Sequence, residues 1–234
     1  MHRRIFFVTG TDTGVGKTVA SAALVSALGA SYWKPVQSGL ADDPGGDTAK
    51  VACLTGQTIT DFPQPVFSLQ ASLSPDQAAR REHTSLNPKL LLDRIRQVAH
   101  TANETQPLVI EGAGGLMVPL SDSFWMIDLI TALNQPVVLV ARTTLGTLNH
   151  TLLSLEALHL RCIPLAGILF CGPAQPETVA TIARHGRAPI IGRLPWLAPL
   201  TQKTVQTAAR RLDLSFFATQ GDAAHHVDDL PVPC

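Results

Sequence analysis

The ten residues TGTDTGVGKT, numbers 9–18, follow directly on the apolar run IFFV and end in Gly16-Lys17-Thr18. Those residue types in that place can bind a polyphosphate. A strand ending at Val8 and a helix starting near Lys17 put the intervening loop at a helix N-terminus, where free backbone N–H groups and the helix dipole attract anions. Gly14 and Gly16 can take backbone angles that let the chain wrap a phosphate closely. The Lys17 ammonium reaches terminal phosphate oxygens, and the Thr18 hydroxyl suits Mg²⁺. The spacing departs from the common pattern G-x-x-x-x-G-K-[ST], which demands glycine at position 11. Thr11 stands there, and Gly10 is one residue too early.

Three further constellations could complete such a site. In YWKPVQSG, Lys34 closes an expected second strand and points toward the same region as the loop. In LVIEGAGG, Glu111 stands at the carboxyl end of a buried strand, followed by Gly112, Ala113, Gly114 and Gly115. Ligands of open α/β sheets bind in the crevice at the strands' carboxyl ends, and a carboxylate there suits a hard divalent cation. In GGDT, Asp47 opens an expected helix and reads equally well as a metal ligand or an ordinary cap.

The elements that must position these groups are legible as alternating short apolar runs and helical patterns. The runs are 5–8, 108–110, 137–140, 168–170 and the weaker 190–191. They are continuous rather than alternating, as expected of strands buried on both faces. Ala20, Ala23, Leu24, Ala27 and Leu28 share one helical face; Leu91, Ile95, Val98 and Ala102 share another. Asn87 and Pro88 make an N-cap and first helical position. This alternation predicts an α/β protein, a single-domain P-loop NTPase-type fold whose mostly parallel sheet carries helices on both faces. One domain spans 1–234, with 41–75 as surface excursions and the tail after about 221 loosely held.

Bulk properties narrow the function. Hydrophobic residues make up 45% of the 234 and charged residues 15%, so a large core is expected. The formal net charge is zero, which argues against a nucleic-acid partner. No run approaches the length of a membrane span, and the N-terminus reads as a strand rather than a signal peptide. The cysteines, Cys53, Cys162, Cys171 and Cys234, lack C-x-x-C spacing and suit a reducing cytosol. His225-His226 lacks a third clustered ligand and reads as solvent-exposed rather than a metal site.

Taken in order, VTGTDTGVGKT, KPVQSG, GDT, EGAGGLMVPL, LGTLNHTLLSLEAL, AGIL and LPWL resemble the dethiobiotin synthetases from about residue 5 to residue 198. That family's loop carries the same extra residue. The resemblance implies ATP-dependent joining of CO₂ to 7,8-diaminononanoate through a carbamate and a carbamic-phosphoric anhydride, with Mg²⁺, in a cytoplasmic homodimer that shares its active sites. It implies catalytic roles for Thr13, Lys17 and Lys34, and Mg²⁺-binding positions at Thr18, Asp47 and Glu111. It implies nucleotide contacts from Asp12, Thr13, Gly14, Val15, Gly16, Lys17, Thr18 and Cys171. Ser38, Leu145, Gly146 and Asn149 match the diamine-binding positions, with 145–149 acting across the subunit interface. Two residues depart: Gly14 stands where some members have glutamate, and Cys171 where some have an adenine-reading asparagine, which predicts weaker base selectivity. An amide-forming synthetase shares the loop and the EGAGG segment but usually carries a glutaminase domain, for which this chain has no room. A partner-regulated ATPase switch is the alternative of another class. It typically has lysine near the loop's start, where Thr11-Asp12-Thr13 stands here.

Overall fold

The computed structural model describes residues 3–100 and 106–219. Ala102, His225, His226, Cys234 and the tail read as loosely held lie outside the described residues. In chain order the elements are β1 (Ile5–Gly10), α1 (Lys17–Leu28), β2 (Ser31–Trp33), β3 (Val36–Gln37), α2 (Gly46–Thr55), β4 (Phe67–Ser68), α3 (Pro75–Arg81) and α4 (Pro88–His100). There follow β5 (Leu108–Gly115), β6 (Pro119–Ser121), β7 (Phe124–Trp125), α5 (Met126–Leu133), β8 (Val137–Arg142), α6 (Thr147–Leu160), β9 (Leu165–Cys171), α7 (Pro176–Gly186), β10 (Ile190–Leu194), α8 (Gln202–Ala209) and α9 (Ser215–Thr219).

Six strands form one sheet in the order β10-β9-β8-β1-β5-β2, and every pairing in it is parallel. Alternate residues of each strand feed opposite faces. Phe6, Val8, Val138 and Val140 pack with Ala20, Ala23 and Leu24 of α1, Val51 of α2, Val205 of α8 and Phe217 of α9. On the other face Phe7 and Ile110 meet Leu91 and Ile95 of α4 and Ile130 of α5. Leu139, Ile168 and Phe170 meet Leu155 of α6 and Ile182 of α7 on that same side. The alanines of α1 let its backbone lie close to the sheet. Asn87 caps α4 as expected, its side chain accepting from Leu90 N at 3.2 Å.

This topology creates a crevice. The helix after β1 covers one face and the helix after its neighbour β8 covers the other. The chain therefore parts in opposite directions at the carboxyl ends of two adjacent strands, the arrangement that opens binding clefts in such sheets.

Glu111 was expected at a strand's end, and the strand instead runs on to Gly115 through an irregularity. Val8 pairs with Glu111 but Gly10 pairs with Gly115. Glycine permits that detour: a Cβ at Gly112 would stand 2.9 Å from the Phe7 ring, and one at Gly115 would stand 3.1 Å from Gly10 O.

The excursion after α2 returns to brace the segment that carries Lys34. β4 pairs in parallel with β3, Leu69 N donates to Gln37 O at 2.8 Å and Val66 N to Pro35 O at 2.8 Å. The Trp33 indole N–H donates to Gln64 O at 3.0 Å.

Candidate active site

The loop between β1 and α1 keeps the sheet's hydrogen bonding one residue past the strand. Thr11 N donates to Val140 O of β8 at 3.0 Å, so the extra residue is absorbed as a continuation of the ladder. The chain then doubles back over Gly10, where a Cβ would lie 2.8 Å from Val15 Cγ2. Gly16, with φ 100°, precedes α1 and no side chain caps the helix. The first N–H groups of α1 are left for an anion. Lys17 is buried and turns its ammonium under the loop to donate to Asp12 O at 2.8 Å. Asp12 itself accepts from Thr13 N at 2.7 Å and lies 3.8 Å from the Arg142 guanidinium at the end of β8.

Beside the loop stands a closed polar cluster. Lys34 Nζ is 2.8 Å from Asp47 Oδ2 and 3.0 Å from Glu111 Oε1. Thr18 Oγ1 donates to Asp47 Oδ1 at 2.8 Å and lies 3.3 Å from Glu111 Oε1. The second Glu111 oxygen, Oε2, accepts from Ser21 Oγ at 2.7 Å and from the Tyr32 hydroxyl at 3.1 Å. Gln37 fixes the start of α2: its Oε1 accepts from Asp47 N at 3.0 Å and its Nε2 donates to Ser38 O at 2.7 Å.

Burial and charge oppose each other here. Burial drags the Lys34 ammonium down, but Glu111 and Asp47 outweigh it and hold Lys34 above its ordinary range. Burial pushes the Asp47 carboxyl up, and Lys34, with the Thr18 hydroxyl and Lys50, overrides it so that the net shift is downward. Lys17 has no such direct partner. Desolvation, seconded by the like charge of Lys34, lowers it to about 8 against the pull of Glu111, Asp47 and Asp12. Burial and the neighbouring carboxylates raise the Tyr32 phenol well above its ordinary value, so it remains a donor.

The donor set suits a hard cation. Two carboxylates (Asp47, Glu111) converge within hydrogen-bond distance of one hydroxyl oxygen (Thr18), and oxygen ligands of this kind are what Mg²⁺ takes. Among the described residues no group of three or more His, Cys, Asp or Glu side chains could hold a metal. The fit rests on this mixed hydroxyl–carboxylate set.

Thr18, Lys34, Asp47 and Glu111, singled out in the sequence, are thus joined directly, and Lys17 is held separately on Asp12 O. Thr13 and Gly14 are exposed on the loop and Val15 is buried under it. Ser38 is half-buried beside Gln37. Leu145, Gly146 and Asn149 are exposed at the N-terminus of α6, across the crevice; Leu145 is 101% exposed. Cys171 is also brought to the loop, but against its underside: a Cβ on Gly16 would be 2.9 Å from its Sγ. Burial pushes its thiol up to about 12. Ser21, Tyr32, Gln37 and Arg142 were not anticipated. Ser21 had a signal, since it lies three residues after Thr18 on an otherwise alanine-rich helix and so on the same side.

Residues 4–204 match the family described as "AAA domain". The chain is 48% identical over 205 residues to the ATP-dependent dethiobiotin synthetase BioD of Rhodopseudomonas palustris (strain BisB5), covering 87% of this chain and 92% of that one. It is 45% identical over 220 residues to the same-named protein of Brucella ovis, covering 93% and 98%. Among solved structures it is similar to a ParA family ATPase from Chlorobium tepidum TLS. The TM-score is 0.57 at 14% identity, over 91% of this chain and 99% of that one, a likeness of fold alone.

Proposed function

The chain belongs to the dethiobiotin synthetase family, and from that premise we propose how its residues perform the reaction. It is an ATP-dependent ligase of biotin synthesis that forms dethiobiotin. Its substrates besides ATP are read as 7,8-diaminononanoate and CO₂. One amine of the diamine adds to CO₂ and loses a proton to give a carbamate. A carbamate oxygen attacks the γ-phosphorus of ATP as the bond to ADP breaks. The second amine then attacks the carbonyl carbon of the mixed anhydride, phosphate leaves and the urea ring closes. No covalent bond to the protein forms.

The chain's work is to hold two anions together and to stabilise charge spread over a phosphoryl group in flight. The loop N–H groups from Asp12 to Thr18 and the Lys17 ammonium are read as the groups that receive the phosphates. Lys34, turning from its carboxylates, supplies a second cation to the carbamate and γ-phosphate, with Thr13 on the loop's open side. Thr18, Asp47 and Glu111 would hold Mg²⁺, which when bound neutralises phosphate charge. Ser38 is read as a diamine contact. The single observation that carries this reading is the Lys34–Asp47–Glu111–Thr18 cluster at the foot of the loop, built on the buried Lys34 and Glu111.

The exposed N-terminus of α6 suits the substrate's carboxylate, because free N–H groups there favour an anion. Leu145, Leu148, Leu153 and Leu160 are all exposed on or beside α6, at 101%, 40%, 57% and 76%. Apolar surface of that extent supports a homodimer interface, so that one protomer's 145–149 serves its partner's site. The continuous sheet supports a single domain. No helix among the described residues is long and apolar enough to cross a membrane. The free cysteines Cys53, Cys162 and Cys171 support a cytoplasmic location.

The test is phosphate release from ATP and Mg²⁺ with and without 7,8-diaminononanoate and bicarbonate, with the product weighed by mass spectrometry. Diamine-dependent release with the mass gain of one carbonyl is expected. Release indifferent to the diamine would return the chain to the class of regulated ATPase switches.

A further inference from the structure

Glu111 is 1% exposed, and the two oxygens of its carboxylate are held in different ways. Oε2 receives Ser21 Oγ at 2.7 Å and the Tyr32 hydroxyl at 3.1 Å. A carboxylate oxygen accepts through about two lone-pair sites, so these two donors fill it. Both come from rigid, buried elements: Ser21 from the middle of α1, Tyr32 from β2, and neither side chain is exposed. Among the described residues Oε1 meets only groups that the proposed reaction itself calls on, Lys34 Nζ at 3.0 Å and Thr18 Oγ1 at 3.3 Å. One oxygen is locked to the scaffold and the other is releasable toward the site.

We propose that Ser21 and Tyr32 are positioning residues that confine Glu111 to one-oxygen coordination and thereby make the site select Mg²⁺ over Ca²⁺. Mg²⁺ demands a compact octahedral shell of single oxygens, whereas Ca²⁺ takes six to eight ligands and readily accepts both oxygens of one carboxylate. A glutamate whose second oxygen is already spent cannot offer the chelating pair. Selectivity of this kind depends on ligand number and freedom as well as on ligand identity, and groups behind a ligand set both. The inference rests on the reading of Thr18, Asp47 and Glu111 as the cation's ligands.

The experiment measures Mg²⁺ and Ca²⁺ binding directly, by competition against Mn²⁺ read from its electron paramagnetic resonance signal, with ADP present. The proteins are wild type, Tyr32→Phe, Ser21→Ala, the double variant and Glu111→Gln, each checked for folding by its melting temperature. Wild type should prefer Mg²⁺. The double variant should keep its Mn²⁺ signal while the Mg²⁺/Ca²⁺ affinity ratio narrows by about tenfold, the lower end of what altering groups behind a ligand does to affinity. Tyr32→Phe alone, which keeps the ring and removes only the hydroxyl, should give part of that change. A ratio unchanged in the double variant, or both cations lost equally, overturns the proposal. Glu111→Gln separates the two readings: if it binds cations as wild type does, the ligand assignment itself fails.

Discussion

Lys34 Nζ and Asp47 Oδ2 lie 2.8 Å apart, with Lys34 wholly inside the protein. The cation expected to meet substrate is resting on the carboxylates expected to meet the metal. Replacing Lys34 by Met leaves Asp47 and Glu111 facing one another without compensation. Such a loss costs about 3–5 kcal/mol of stability when one partner of a buried pair is removed. Added Mg²⁺ should then raise the melting temperature of Lys34→Met far more than that of wild type. A variant as stable as wild type in EDTA would refute the pairing.

Lys17 behaves in the opposite sense. Its folded-state value of about 8 lies below its ordinary 10.5, so between those values the unfolded chain binds more protons than the folded one. Stability of the ligand-free protein should therefore gain a contribution as pH rises from about 8 toward 10, and Lys17→Met should abolish that rise. The same substitution should stabilise the ligand-free protein near pH 7, by roughly 3 kcal/mol. Denaturant titrations of both proteins at pH 7, 8, 9 and 10 would check the sign.

Activity should pay no regard to that gain. Lys17→Ala removes a positive group aimed at developing phosphate charge, and the turnover loss should be on the order of 10²–10³. Wild-type turnover would overturn the assignment of the loop.

Base selectivity should be shallow. Cys171 lies against Gly16 and cannot present the paired donor and acceptor of an amide. Turnover with ATP, GTP and CTP should agree within about tenfold, an ordinary hydrogen bond contributing about 0.5–1.5 kcal/mol net. A hundredfold preference for ATP would show that another group reads the base.

If α6 carries the subunit interface, Leu153→Glu with Leu160→Glu should turn a dimer into a monomer by sedimentation and raise KM for the diamine more than for ATP. Asn149→Ala should show the same asymmetry without dissociation. Equal effects on both substrates would place 145–149 away from the diamine.

The loop, the strand order of burial and the four chemical segments could be read from residue types because each is a local pattern: apolar runs, glycines beside a lysine, a carboxylate after a strand. Tyr32 could not, because in SYW it looks like any core aromatic. Its role appears only when β2 pairs with β5 and sets Tyr32 opposite Val109, two residues before Glu111 on the same face. Gln37 and Arg142 were hidden for the same reason, since their partners lie ten and 130 residues away. The stretch 41–75 read as surface excursions because it is rich in Pro, Gly, Ser, Asp and Gln, whereas two short strands pairing across some thirty residues leave no periodicity to detect.

The cluster at the foot of the loop, with Lys17 beside it, sets two lysines against two carboxylates, and these charges already balance. A bare divalent cation entering would have to evict Lys34, and a bare nucleotide would find Lys17 and Lys34 engaged at Asp12 O and at the carboxylates. Either ligand alone strands groups of one sign; together each set finds a partner, the metal taking the carboxylates and the phosphates the lysines. Each should therefore tighten the other's binding, a thermodynamic coupling that must be equal in both directions.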